Sequence, residues 1–213
     1  MIRKIGLTGG IASGKSRVAE MLAATLHCTH IDADEICRDL LEPQKEGWQA
    51  IKRVFGSRYL TGNGYIDRPL LRQSLFADDK IRLQVNELIH PLVKRTIVAQ
   101  MAGIIGASED SRVLVEVPLL FEVEWENLFD AVVVVYADNE TCIRRLMYRD
   151  GVARSVAVTE LASQLSLSEK VMRGNYVIDN SGMLPDTTNQ VMHLADIIKN
   201  NGQDKEKKLD SKK

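Results

Sequence analysis

The sequence has little of several things that would place a protein in a special class. It has three cysteines among 213 residues and no C-x-x-C pair, which argues against a disulfide framework and favours a reduced, cytoplasmic setting. Its net charge of −1 gives no overall field that would attract nucleic acid or a membrane surface. No apolar run approaches the roughly 20 residues of a membrane helix, and no signal peptide precedes the first predicted strand. We therefore expect a cytoplasmic protein with no nucleic-acid or membrane partner.

The most informative feature that is present is a glycine-rich segment near the N-terminus. Residues 9–16, GGIASGKS, match the phosphate-binding loop pattern G-x-x-x-x-G-K-[ST], in which backbone N–H groups surround phosphate oxygens. An apolar run over residues 2–7 predicts a buried strand before this P-loop, and an apolar face over residues 18–26 predicts a helix after it. The order of strand, loop and helix indicates a nucleoside triphosphate site rather than an empty glycine-rich turn.

Each part of the loop has an expected task. Lys15 would reach the β- and γ-phosphates, and the Ser16 hydroxyl would bind Mg²⁺. A lysine at the start of a helix opposes the helix dipole unless an anion is bound, which also favours a ligand. We expect the ATP phosphates to be held by the loop residues Gly10, Ile11, Ala12, Ser13, Gly14, Lys15, Ser16 and Arg17.

Alternation of strands and helices predicts an α/β fold with a parallel sheet. Apolar runs predict strands over residues 2–7, 30–34, 113–117, 131–137 and 176–178. The expected fold is a three-layer core like that of P-loop nucleoside triphosphate hydrolases, built from about 1–34, 111–138 and 171–199. The whole chain, 1–213, is interpreted as one domain that ends in a frayed polar tail, 200–213.

Two helical segments interrupt the predicted core. Residues 35–110 have helical patterns but no convincing strand, and we interpret them as an insertion beside the nucleotide. Within it, a long helix over residues 81–101 should kink or break at His90-Pro91, and a loop should follow over residues 103–111. Residues 139–170 form an arginine-rich pair of predicted helices, the second with Leu165 on its apolar face. Their position predicts a small helical lid.

Missing motifs narrow the choice among P-loop proteins. The sequence has no N-K-x-D segment of a GTPase and no L-S-G-G-Q segment of a transporter ATPase. A lid with arginines suits a small-molecule kinase, which must exclude water from the transferring phosphoryl group. Asp34 follows a short strand and would orient a hydroxyl acceptor, although Asp32 and Asp34 could equally cap the next helix. A kinase for another nucleotide or small metabolite, or a non-catalytic nucleotide-binding protein, remains an alternative.

Several motifs together resemble the dephospho-coenzyme A kinase family. They follow the family's order over about residues 2–195 and include IGLTGGIASGKS (5–16), IDAD (31–34), FG (55–56), DR (67–68), HP (90–91), VPLLFE (117–122), RDG (149–151) and VIDN (177–180). The resemblance implies ATP-dependent phosphorylation of the ribose 3′-hydroxyl of dephospho-coenzyme A, with Mg²⁺ as the metal. We expect a monomer or weak homo-oligomer. It implies that Asp34 is the general base, that Lys15 stabilises the transferring group and that Arg149 comes from the lid. By the same likeness, the acceptor site is lined by Thr8, Asp34, His90, Pro118 and Leu119.

Two departures from the family pattern bear on ATP affinity. Ala12 stands where glycine is usual, and its methyl group is tolerable if φ stays negative. Glu160 stands where many relatives have arginine, so the lid could lose a positive charge. Neither departure removes Lys15, Ser16 or Asp34, and we expect an active enzyme.

Overall fold

Five strands form one parallel sheet in the computed structural model, which describes residues 1–200. The strands are β1 Lys4–Gly9, β2 Thr29–Asp32, β3 Val113–Glu116, β4 Ala131–Tyr136 and β5 Tyr176–Asp179. Their order along the sheet is β2-β3-β1-β4-β5. The central strand, β1, pairs in parallel with β3, where Ile5 is in register with Leu114, and with β4, where Leu7 is in register with Val133. The predicted α/β fold is confirmed.

Helices connect and cover these strands. They are α1 Lys15–Leu26, α2 Ala33–Leu40, α3 Glu46–Phe55, α4 Arg68–Ala77, α5 Asp79–Ala107, α6 Asn139–Asp150, α7 Arg154–Ala162, α8 Leu167–Arg173 and α9 Leu184–Asn200. On one face of the sheet, Ile5 and Leu7 pack in a buried cluster with apolar residues of α1 and α9. Gly6 faces the other side, where a Cβ would collide with Phe129. Burial on both faces explains why the strands read as continuous apolar runs.

The chain divides into two compact units. The first contains residues 1–31 and the described chain from Met101 onward, and the second contains Asp32–Gln100. In the second unit, α3 buries Trp48 and Ile51, and the Trp48 Nε1 donates a hydrogen bond to the Gly64 carbonyl, 2.8 Å away. Most of the predicted insertion, 35–110, falls in this unit.

Helix α5 corrects two expectations. It runs without a break from Asp79 to Ala107 with Pro91 inside it. Of the expected kink or break at His90-Pro91, the break is therefore wrong, and so is the start of the predicted loop at residue 103. Proline removes one backbone donor from a helix. The buried side chains of Ile89 and Val93 on either side of it offset that loss, because tertiary packing supplies most of the stability of a helix in a protein.

The same helix also bears on the expectation that no segment is apolar and long enough for a membrane helix. By length and composition alone, α5 is long and apolar enough to cross a membrane. One such helix is weak evidence, because the core helices of soluble proteins meet the same criterion.

The segment predicted to form a lid, residues 139–170, contains parts of three helices rather than two. Helix α7 ends at Ala162, so Leu165 lies outside it, and α8 begins separately at Leu167. The Ser166 hydroxyl accepts from the Glu169 N–H, and the Glu169 carboxylate accepts from the Ser166 N–H. This reciprocal capping box starts a separate helix. The spacing of the apolar residues instead extends the predicted second helix through Leu165. The predicted tail, 200–213, lies outside the described residues beyond Asn200.

Candidate active site

The P-loop joins the end of β1 to the start of α1. At Gly9, a Cβ would collide with the Val135 carbonyl oxygen, so only glycine fits beside β4. Gly14, with φ of 88°, is the N-cap of α1, a left-handed conformation that glycine adopts without strain. The Lys15 Nζ donates to the Gly10 carbonyl across the loop, 2.7 Å away. The loop therefore closes into a ring at the N-terminus of the helix.

The start of α1 is suited to an anion. Within residues 1–200, no side chain caps this N-terminus and no acidic residue lies in its first turn. The first turn instead carries Lys15 and Arg17. The N-terminal N–H groups of a helix lack intrahelical partners and carry partial positive charge, so this end is electropositive and fits polyphosphate.

Ala12 departs from the conformation expected for it. Its φ is +57°, so the condition that φ stays negative is wrong, and the residue bears the strain of a left-handed alanine. Its side chain packs against a buried cluster formed by Ile143, Leu146 and Ala157. The Ala12 methyl group thus joins the loop to α6 and α7.

Glu116 connects the P-loop serine to the neighbouring strands. The Ser16 Oγ donates to Glu116 Oε1, 2.9 Å away, and Glu116 Oε2 lies 3.4 Å from His30 Nε2. Glu116 is 3% exposed. Mg²⁺ in phosphate-transfer sites takes one or two protein oxygens besides phosphate and water, so this hydroxyl and carboxylate fit it. In the described chain, no group of three or more His, Cys, Asp or Glu side chains forms a separate metal cluster.

Asn180, just after β5, holds the loop from the opposite side. Its Nδ2 donates to the Ser13 carbonyl, 2.8 Å away, and its Oδ1 accepts from Thr187 Oγ1 at 2.9 Å. The Arg145 guanidinium donates to the Asn180 carbonyl at 2.9 Å. Asn180 belongs to the VIDN motif, but neither its contact nor that of Arg145 follows from residue spacing.

Arg149, in the segment predicted to form a lid, lies beside the loop. A cavity of about 330 Å³ is lined by Ala12, Gly14, Lys15, Ser16, Arg17, Arg145, Tyr148 and Arg149. The Arg149 guanidinium makes two hydrogen bonds to the Asp150 carboxylate, of 2.7 and 2.8 Å. These bonds raise the pKa of Arg149, and the charges of Asp150 and Glu160 raise it further. Arg149 therefore stays cationic, and Glu160 brings a negative charge close to it.

Three of the predicted acceptor residues lie where β1 and β3 end. The Thr8 Oγ1 donates to the Pro118 carbonyl, 3.1 Å away. Thr8 is fully buried, and Leu119 is 37% exposed. A second cavity of about 810 Å³ is lined on one side by the P-loop residues Gly10 and Ile11 and on the other by Val158, Leu161 and Leu165 of the predicted lid segment.

The remaining predicted residues, Asp34 and His90, belong to the second unit. Asp32 is the N-cap of α2, and its Oδ1 accepts from the Asp34 N–H at 2.8 Å. The capping side chain is therefore that of Asp32, while Asp34 is exposed in the first turn. His90 is half-buried in α5, and burial lowers the pKa of its imidazole. The imidazole is therefore neutral at pH 7.

The parallel sheet and the phosphate-binding loop together define a P-loop nucleotide-binding protein of the class that includes small-molecule kinases. Within that class, a sequence model of the dephospho-CoA kinase family matches residues 3–186. The chain belongs to this family. The dephospho-CoA kinase of Bacillus licheniformis is 41% identical over 196 residues, which cover 92% of this chain and 96% of the relative.

Solved structures give the same family and fold. A dephospho-CoA kinase from Campylobacter jejuni has a TM-score of 0.68 at 28% identity, over 94% of this chain and 100% of the other. Shikimate kinase from Bacteroides thetaiotaomicron has a TM-score of 0.53 at 13% identity, over 93% of this chain and 99% of the other. The second likeness shows the shared P-loop kinase fold alone.

Proposed function

We propose that this protein transfers the γ-phosphoryl group of ATP to the ribose 3′-hydroxyl of dephospho-coenzyme A, giving coenzyme A and ADP. Membership of the family and an intact P-loop support the reaction class. The observation that carries the proposal is Asp34, an exposed carboxylate just after β2. Because Asp32 caps α2, the cap does not account for Asp34. A protein that only bound nucleotide would need no such carboxylate.

The P-loop would hold the ATP phosphates, with Gly10–Arg17 as the contacting segment. Support comes from the electropositive start of α1 and from the closure of the loop by Lys15. Mg²⁺ would be held by Ser16, with Glu116 beside it, and when bound it would neutralise phosphate charge during transfer. These two residues make the site suitable for a hard cation with oxygen ligands.

The chemistry assigned to the side chains is a direct phosphoryl transfer. Asp34 takes the proton of the 3′-hydroxyl while the hydroxyl oxygen bonds to the γ-phosphorus of ATP. The bond between the γ-phosphorus and the β–γ bridging oxygen breaks, and ADP leaves. Lys15 and Arg149 stabilise the negative charge on the transferring group. Closure of the lid would keep water out and so prevent ATP hydrolysis.

Thr8, His90, Pro118 and Leu119 would line the acceptor site. The neutral His90 imidazole can donate one hydrogen bond and accept another, which suits ribose or amide groups. Exposed Leu119 offers an apolar contact. A cytoplasmic location is part of the proposal and is supported by Cys28, Cys37 and Cys142, which are free thiols. A monomer or weak homo-oligomer remains the expected state.

The test compares the wild type with Asp34→Asn and the matched control Asp32→Asn. Phosphoryl transfer from ATP with Mg²⁺ to dephospho-coenzyme A is measured by formation of the 3′-phosphate. We expect Asp34→Asn to lower kcat about 10²-fold or more with an unchanged KM for ATP. Asp32→Asn should retain activity, since asparagine also caps helices.

Three outcomes separate the hypotheses. If kcat falls in Asp34→Asn but not in Asp32→Asn, the result supports both dephospho-coenzyme A as the acceptor and Asp34 as the general base. Full activity of Asp34→Asn would remove the general base from the mechanism. A wild type that binds ATP but transfers nothing would leave a kinase for a different acceptor or a nucleotide-binding protein.

A further inference from the structure

One lysine of the first unit is completely buried beside the P-loop. Lys170, in α8, has a relative exposure of 0%. Its Nζ lies 2.8 Å from Glu122 Oε1 and donates to the Pro118 carbonyl at 3.1 Å and to the Gly9 carbonyl at 3.5 Å. An ammonium group has three donors, and here each has an acceptor.

These three acceptors belong to different parts of the candidate site. Gly9 ends β1 and opens the P-loop, and Pro118 follows β3 and precedes Leu119. The Glu122 carboxylate also accepts from the Leu165 N–H, 3.1 Å away, in the connection between α7 and α8. A single ammonium group therefore joins the loop, the segment after β3 and the lid.

Stability alone is a poor explanation for this arrangement. Burying an ion pair incurs a desolvation penalty, and apolar residues of similar size often stabilise a protein as well or better. The pair instead fixes geometry, because the Lys170 ammonium group holds two backbone carbonyl groups and one carboxylate at set positions around it. Leu167 of the same helix lies against Gly10, where a Cβ would be 3.0 Å from it, so α8 contacts the loop through both residues.

We propose that Lys170 is a positioning residue for the acceptor substrate. It holds the Pro118–Leu119 segment against the start of the P-loop, so that this segment orients the acceptor toward the transferring phosphate. The inference rests on the proposed function, in which Pro118 and Leu119 line the acceptor site. Lys170 acts through the backbone of Pro118 and does not touch the phosphates.

The contacts at the other end of the P-loop, at Ser13 and Ser16, indicate which kinetic constant should change when Lys170 is replaced. Ser13 is held by Asn180, and Ser16 contacts Glu116. Neither contact involves Lys170, so the phosphate-holding end of the loop keeps its own supports when Lys170 is replaced. Loss of Lys170 should therefore raise the KM for dephospho-coenzyme A much more than the KM for ATP.

The experiment uses Lys170→Met, the double variant Lys170→Met/Glu122→Leu, and Lys199→Met as a matched control in α9. Steady-state kinetics with each substrate are measured together with the thermal midpoint. In Lys170→Met we expect a KM for the acceptor about 10-fold higher or more, a KM for ATP within about threefold of the wild type, and a lower midpoint. The single variant leaves the Glu122 carboxylate without its cation, which is the strongly destabilising case.

The double variant separates positioning from stability. Replacing both partners by apolar groups can be nearly neutral for stability, so the midpoint should recover while the acceptor KM stays high. Recovery of the acceptor KM together with the midpoint would overturn the proposal. So would an unchanged acceptor KM in Lys170→Met, or an equal rise in both KM values.

The wild type distinguishes failure of this inference from failure of the proposed function. Transfer by the wild type with an unaltered acceptor KM in Lys170→Met would overturn only the positioning role. If the folded wild type fails to phosphorylate dephospho-coenzyme A, the proposed function falls and the positioning role falls with it.

Discussion

Substitution of Gly14 by alanine tests how firmly the P-loop is held. Gly14 has φ of +88°, and a Cβ there would collide with the Asn180 side-chain amide nitrogen. Gly151 provides the matched control, since it has φ of +66° with nothing within 4 Å of the added atom. Gly14→Ala therefore adds both backbone strain and a collision, whereas Gly151→Ala adds strain alone.

The two penalties can be estimated separately. A left-handed alanine costs about 1–2 kcal/mol, reduced by about 0.4–1 kcal/mol because alanine restricts the unfolded chain. Displacing Asn180 endangers its hydrogen bonds with Ser13 and Thr187, each with a net contribution of about 0.5–1.5 kcal/mol. Gly151→Ala should thus cost about 1 kcal/mol, and Gly14→Ala about 2–4 kcal/mol.

Thermal unfolding followed by calorimetry checks these values. For a protein of this size, 1 kcal/mol corresponds to about 2–4 °C in the midpoint. The midpoint should fall by roughly 2–4 °C in Gly151→Ala and by roughly 5–15 °C in Gly14→Ala. Equal falls in the two variants would refute the reasoning, because they would mean that Asn180 moves aside without loss.

Two further predictions concern Ala12 and His90. Ala12→Gly removes left-handed strain of about 1–2 kcal/mol. It also loses the packing of a methyl group, about 0.8 kcal/mol at most, and raises the conformational entropy of the unfolded chain, which costs a similar amount of stability. Because these contributions nearly cancel, the thermal midpoint should stay within about 3 °C of the wild type, and a larger fall would show that the methyl contact dominates. Burial lowers the pKa of His90 below its ordinary 6.5, so its contribution to stability is present above pH 6.5 and is lost as the pH falls through the lowered value. Between pH 7.5 and 5.5 the wild type should lose more in midpoint than His90→Gln, and equal losses would contradict this.

The elements formed by local sequence were the predictable ones. The five apolar runs are recognisable from their length and composition, and the P-loop from its glycines and lysine, because each of these patterns is complete within about ten residues. The caps of α4 and α6 are local in the same way, since the Asp67 and Asp138 side chains accept hydrogen bonds from N–H groups three residues further on. The continuation of α5 through Pro91 did not follow, because its cause is packing of the helix within the protein rather than helix propensity.

The contacts that complete the candidate site depend on distant residues. Ser16 and Glu116 are 100 positions apart, and Lys170 and Gly9 are 161 apart. Such pairs are set by strand order and register, which spacing along one strand does not encode. The positive φ of Ala12 escaped prediction for a related reason, since an alanine becomes left-handed only where surrounding structure compels it.

The Asn180 support of the P-loop has a consequence for how the protein is made. The amide that holds Ser13 lies 167 residues further along the chain, so a ribosome releases the loop long before it releases the residue that secures it. The central strand β1 likewise waits for β3 and β4. During most of synthesis, the nascent nucleotide site therefore lacks the contact between Asn180 and Ser13. A chain truncated before Asn180 would carry the complete phosphate-binding motif without the contact that shapes it.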